Sequence, residues 1–239
     1  MKRDVLVIPF DTIHDLVISS DNSGAIGNKQ ADVVQVPYET VSYYSFRVAL
    51  MECLAAGGEP FAVVIHNFSG DEAWHGLLSG VKKTAKEADI PDLAITGSTE
   101  TNFQMMQSAT GIVVMGKKKK EAERPLPANL QYAVIGKPLV GPEVLAEASQ
   151  VAPLALFRKV LQMDGVHAVL PVGSKGILHE IKNMTGREEL MAENLACALD
   201  VEKTAGPSTC FVVGFEAEVE RVLWEVCGGL VFVVNVIEV

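Results

Sequence analysis

Short apolar runs alternate with longer stretches of helical period along the whole chain. DVLVIPF (4–10) and LVISS (16–20) read as strands around a turn, and DVVQVPY (32–38) as a third strand. From Glu39 to Ala56 the spacing of Val41, Tyr44, Val48, Leu50, Met51 and Leu54 predicts a largely buried helix. Gly57-Gly58 stops it, and Pro60 prevents its resumption. FAVVIHNF (61–68) has the unbroken apolar run of a buried strand, and Asp71 can N-cap an amphipathic helix that runs to Ala88. LAITGS (93–98) and SATGIVVMG (108–116) add two more strands.

The pattern then lapses. KKKKEAERPLPAN (117–129) has four successive lysines, two prolines and no apolar periodicity, so it reads as a solvated interdomain linker that opens on the end of a strand. Beyond it QYAVIG (131–136) is a strand, Pro142 to Met163 a helix with a break at Pro153, and VHAVLPV (166–172) a strand. Helices follow around 175–184 and 187–198, then the strand STCFVVGF (208–215), the helix EAEVERVLWEVC (216–227) and the final strand LVFVVNVIEV (230–239). This order predicts an α/β (α+β) chain of two domains, 1–118 and 131–239, each with its own sheet and helices.

Composition narrows the function classes. The 239 residues are 49% hydrophobic, enough for a substantial core, and carry a net charge of −10. That charge argues against nonspecific nucleic-acid binding and against a membrane-surface role. No apolar run approaches the length of a membrane span, and the apolar run in MKRDVLVIPFD is short for a signal peptide. Cys53, Cys197, Cys210 and Cys227 are far apart and lie in apolar sequence, so buried thiols and a reducing, cytoplasmic compartment are expected.

Several signatures fail on inspection. GIVVMGK (111–117) matches a phosphate-binding loop up to its lysine, but Lys118 stands where a hydroxyl should hold magnesium, and IVVM reads as strand. His179-Glu180 begins a zinc-protease pattern that Asn183 ends. Among the scattered histidines, His66 is the most interesting, because it ends a buried strand; a hydrogen-bonded structural role is favoured.

What survives is a set of acidic and polar clusters, Asp21-Asn22, Glu52 and Gly97-Ser98-Thr99-Glu100. The first and third follow apolar strands, and ligands of open α/β sheets bind at strand ends. Asp and Glu are the hard oxygen ligands that magnesium takes when it bridges to phosphates. The glycines Gly24 and Gly27 let backbone N–H groups approach such phosphates. Each cluster read alone is more often a turn or cap than a site: Asp-Asn-Ser-Gly is a good turn.

Three segments of this half resemble the aminoimidazole ribonucleotide synthetase superfamily, to which thiamine-monophosphate kinase and selenophosphate synthetase belong. LVISSDNSG is similar to its strand ending in a metal-binding Asp, and RVALMECLAAGGEPFAVVI (47–65) to its helix–Gly–x–Pro–strand segment. ITGSTE (95–100) stands where the family has a strand followed by Gly-Gly-Asp. In the second half VLPVGSKGILHEI (169–181) resembles the family's D-V-S-D-G-G-L, and the closing strand–helix–strand is similar too. The departures are Glu52 for Asp, Ser98-Thr99 within Gly-Gly-Asp, and Pro171 and Ser174 for two aspartates. The combination of DNSGAIG, RVALMECLAAG and ITGSTETNF looks most like the α-ribazole kinase branch, which acts in salvage of the lower ligand of cobalamin.

The resemblance implies an ATP-dependent kinase with an N-terminal ATP-binding domain, ATP and Mg2+ as cofactors, and the 5′-hydroxyl of a ribonucleoside as acceptor between the domains. Asp21, Glu52 and Glu100 would hold metal. Asp21, Asn22, Gly24, Gly27, Lys29, Gly97, Ser98 and Thr99 would bind the nucleotide, although a surface role is the plainer reading of Lys29. No side-chain nucleophile is required, since phosphoryl transfer needs mainly positioning and charge neutralisation. Relatives pair their N-terminal sheets into a shared barrel, so a homodimer is implied. The altered aspartates leave two rivals open, a nucleotide-binding regulator without turnover and an ATP-dependent ligase of the purine-synthesis type.

Overall fold

The computed structural model describes residues 4–90, 92–120 and 125–237; residues 121–124 of the expected linker and the last two of the final strand lie outside them. The chain forms two compact units, Asp4–Glu121 and Ala122–Val239.

The first unit has strands β1 (Leu6–Pro9), β2 (His14–Gly24), β3 (Ile26–Gly27) and β4 (Val34–Gln35), helix α1 (Tyr38–Ala55), β5 (Glu59–Asn67), α2 (Trp74–Glu87), β6 (Ala94–Thr99) and β7 (Ala109–Lys119). Its main sheet has the order β1-β2-β7-β5-β6. Only β5 and β6 run parallel within it. Helix α1 lies along β2 through a stripe of small residues spaced four apart. Ser45 meets Asp21, the Ser19 hydroxyl donates to the Ala49 carbonyl at 2.6 Å, and the Cys53 thiol lies near Val17 beside Gly58. Four helical residues rise about 6 Å and two strand residues about 6.7 Å, so the stripe keeps step with the inward face of the strand. The far side of α1 takes α2, and that helix pair is close because Gly76 and Gly80 present no side chain to Tyr38 and Ser42. Both helices cover one face. The other face carries Leu16, Ile18, Val64, Val113 and Met115 half-buried, beside Leu6 and Ile8, which are 55% and 38% exposed.

Two expectations for this unit are corrected. The strand at 16–20 does not end in an Asp-Asn-Ser-Gly turn. β2 continues through Gly24 because the long strand β7 pairs with it residue by residue, Asp21 with Ile112 and Gly24 with Ala109. The stretch 117–129 opens on the end of that same strand, as expected, with Lys117 between Leu16 and Glu59. Segment 32–38 forms only the two-residue β4, parallel to β3. Asp32 gathers the Lys29 N–H (2.8 Å), the Ser108 N–H (2.7 Å) and the Ser108 hydroxyl (2.7 Å), which bends the chain away from a ladder.

The second unit has β8 (Gln131–Ile135), α3 (Glu143–Ala146), α4 (Leu154–Leu161), β9 (Val166–Pro171), α5 (Gly176–Thr185), β10 (Leu195–Ala196), β11 (Phe211–Phe215), α6 (Glu220–Cys227) and β12 (Val231–Val236). Its antiparallel sheet has the order β10-β12-β8-β11-β9. Alternate residues Val134, Leu170 and Val212 pack under α5, whereas Phe211 meets Phe157 of α4 edge-on and Phe215 meets Trp224 of α6. The expected helix at 187–198 is absent. Leu190 and Leu195 join the core beneath α5, and Leu195-Ala196 pair with the edge of β12, a tertiary demand that overrides helical propensity. Among the described residues no helix is long and apolar enough to cross a membrane.

Candidate functional site

Four strands of the first unit bring one end of the sheet into register. One row is Asp21, Ile112, Ile65 and Gly97; the next is Asn22, Gly111, His66 and Ser98. Strand alternation puts the two rows on opposite faces. Asn22, His66 and Ser98 are exposed on the face without helices, with Gly111 leaving open space between them. His66 is thus not the buried histidine that its apolar run implies. Asp21 points the other way, toward α1. This end is also where the parallel pair β5 and β6 terminates, the place where such strands present ligands to their loops.

Asp21 is the most unusual group here. Burial pushes its carboxyl up from the ordinary 3.8 to about 6, against the opposing hydrogen bonds from the Ser45 hydroxyl and the Asn22 N–H. A carboxyl in a paired strand, half-buried, is not a turn residue.

The glycines divide by role. A side chain at Gly97 would collide with the Trp74 ring, and one at Gly27, whose φ is +157, with Ser108 and Tyr38. Packing accounts for both. Gly24 has nothing within 4 Å of where a Cβ would stand, so only it leaves its backbone open to a ligand. Tyr38 and Ser108 share a hydrogen bond of 3.0 Å below Asp32. Burial works against the Asp32 carboxylate, but its bonds from Ser108 and Lys29 outweigh it and hold its pKa below the usual value.

The expected metal set is not gathered. Glu52 stands seven residues after Ser45 on α1, about 10 Å farther along the helix. Glu100 accepts the N–H groups of Asn102 (2.6 Å) and Phe103 (3.4 Å), turning its carboxylate into its own loop. The Thr99 hydroxyl accepts from the Asn67 amide at 3.1 Å, which also reaches the Gly70 carbonyl at 2.8 Å. Among the described residues no group of three or more His, Cys, Asp or Glu side chains is placed to hold a metal ion. Magnesium that keeps its waters and bridges phosphates needs only one or two carboxylates. Asp21, a buried carboxyl with hydroxyl and amide partners and no cation among the causes of its shift, fits that smaller demand.

Just past the row of Asn22 and His66 the loops enclose a pocket of about 440 Å³. It joins Lys29 and Glu100 to Phe68, Asp71, Glu72 and Phe103. Asp71 is not the cap of α2; it opens a 3-10 turn, Asp71–Ala73, with no side-chain cap bond. The two loops over the pocket are tied together. The Lys29 ammonium donates to the Met105 carbonyl at 2.8 Å and the Gln107 amide to the Ala31 carbonyl at 2.7 Å. Sequence reasoning overlooked Ser45, Asp71, Glu72 and Phe103. The available signal was NFQMMQ (102–107), an aromatic and two methionines in a loop where no periodicity asks for them.

The fold is that of the PurM-like, aminoimidazole ribonucleotide synthetase-related proteins. Thiamine monophosphate kinase from Aquifex aeolicus is similar over 98% of this chain and 89% of its own, at 12% identity and a TM-score of 0.64. T. maritima PurL complexed with AMPPCP is similar at 14% identity and a TM-score of 0.60, over 97% of this chain and 42% of its own, so the chain spans about two fifths of that PurL. A chain of the HypE–HypF complex is similar at 15% identity and a TM-score of 0.59, over 98% and 87%. No family model and no curated protein sequence matches the chain.

Proposed function

We propose that the protein is an ATP-dependent small-molecule kinase, and that its acceptor is the 5′-hydroxyl of α-ribazole. The observation that carries the reading is the likeness to thiamine monophosphate kinase over nearly the whole of both chains, when the PurL match covers under half of its chain. Asp21 would hold magnesium, which neutralises phosphate charge when bound. Gly24 offers open backbone three residues farther along β2, and Lys29 and Glu100 line the adjoining pocket, whereas the Asn22 and Ser98 side chains lie on the opposite face of the sheet from Asp21. Glu52 is too far along α1 to share that ion with Asp21. Four free cysteines, three of them buried, support a reducing cytoplasmic setting. The half-exposed apolar face of the first sheet supports a homodimer through that face.

One observation favours a second reading. Glu100 and Thr99 are engaged in local hydrogen bonds, and among the described residues no group of three or more His, Cys, Asp or Glu is placed to hold a metal ion, as in a nucleotide-binding regulator without turnover. Incubation with ATP, magnesium and α-ribazole decides between them. The kinase yields ADP and α-ribazole 5′-phosphate in equal amounts. Saturable ATP binding with no ADP formed refutes the kinase and selects the regulator.

A further inference from the structure

The reading above uses Lys29 and Glu100 at the margin of the 440 Å³ pocket and leaves the rest of its lining unassigned. The lining divides by chemistry. Phe68, Phe103, Met105 and Met106 line it with large apolar side chains that leave 43%, 80%, 42% and 82% of their surface exposed. Large apolar side chains collected around one concavity mark a surface that something covers. Asp71, Glu72 and Glu100 add three carboxylates to the same lining. Lys29 is the one cationic side chain in the described lining, and its ammonium already donates to the Met105 carbonyl.

We propose that this pocket seats a nucleoside carrying no phosphate of its own, its ring against the Phe and Met side chains and its sugar hydroxyls donating to the carboxylates. Carboxylates only accept hydrogen bonds, so they match hydroxyl donors and repel phosphate. Aromatic faces and thioethers suit a flat ring. The volume lies in the range of about 300–1,000 Å³ that holds small ligands. The inference deepens the kinase reading and rests on it for one point, that ATP lies by Asp21 and Gly24 and not in this pocket.

The test is equilibrium calorimetry on the full chain and on Glu72→Gln and Phe103→Ala, with circular dichroism confirming that both exposed substitutions leave the fold intact. α-Ribazole, adenosine and thiamine monophosphate are titrated without ATP, and ATP with magnesium separately. Each substitution is expected to weaken α-ribazole binding about tenfold while ATP binding stays within about twofold. α-Ribazole bound equally by parent and both variants, a loss confined to ATP, or thiamine monophosphate bound as tightly as α-ribazole would each overturn the pocket assignment. So would failure of the parent to bind either α-ribazole or adenosine. Binding that behaves as expected without any ADP formation supports the pocket and refutes the kinase; turnover of α-ribazole with unaltered binding in both variants does the reverse.

Discussion

Replacing Asp21 with Asn separates the energetics of its burial from its use. In the folded chain the carboxyl titrates at about 6 and in the unfolded chain near 3.8. Between those values the folded state binds the extra proton, so the free energy of unfolding falls as pH rises through that window and is flat above it. At about 1.4 kcal/mol for each pH unit, ionising this buried carboxyl costs the fold about 3 kcal/mol at neutral pH. Asparagine keeps an oxygen for the Ser45 hydroxyl and cannot ionise. Near pH 4, where the folded carboxyl is neutral and the unfolded one only about half ionised, the variant should match the parent within about 1 kcal/mol. Above pH 7 it should be more stable by about 2–3 kcal/mol. Urea unfolding of both proteins from pH 4 to pH 8 measures this, with unchanged m-values as the check that compactness is the same. Parallel stability curves across that range would refute the account of Asp21. The same variant should bind magnesium-ATP about tenfold or more weakly, about 1.4 kcal/mol, so stability gained is function lost.

Three further outcomes follow from the fold. The parent should sediment as a dimer at micromolar concentration and the Ile18→Glu variant as a folded monomer; a monomeric parent ends the idea that the apolar face is an interface. Gly97→Ala should lower stability by about 2–3 kcal/mol through overpacking against Trp74 and the Ile65 carbonyl, read by thermal or urea unfolding, and a loss under about 0.5 kcal/mol would show that the ring yields. Hydrogen exchange should find the Lys117 amide protected like the rest of β7, since it lies between β2 and β5; exchange at an open-coil rate would restore the linker reading.

The two sheets and the long buried α1 were legible because each is a local matter of apolar period and breaker residues, whereas the helix expected over 142–163 is reduced to the short α3 and α4 with 147–153 outside α-helix. What escaped was set by partners far off in sequence. Asp-Asn-Ser-Gly has turn composition, but β7 is long enough to pair with it, and no local rule sees a ladder partner ninety residues on. Leu195-Ala196 reads as helix until the edge of β12 claims it. At the candidate site, Asp21 was singled out by residue type and resemblance alone. Ser45, which holds it, lies on another element and looks like any small helical residue. Glu52 and Glu100 had the right chemistry, yet helix rise separates the first from Asp21 and local backbone bonds occupy the second. Gly27 and Gly97 were read for what they leave open, and packing on Ser108 and Trp74 explains them instead.

The paired bonds across the pocket divide the site into a fixed part and a yielding part. Asp21 is held in a ladder and against α1, so it has no freedom to travel toward a ligand. Whatever adjustment binding demands falls to the segments around Lys29 and Met105. The links from Lys29 to Met105, Gln107 to Ala31 and Asp32 to Ser108 lace those segments to each other. Displacing either segment therefore costs the hydrogen bonds that hold it to the other.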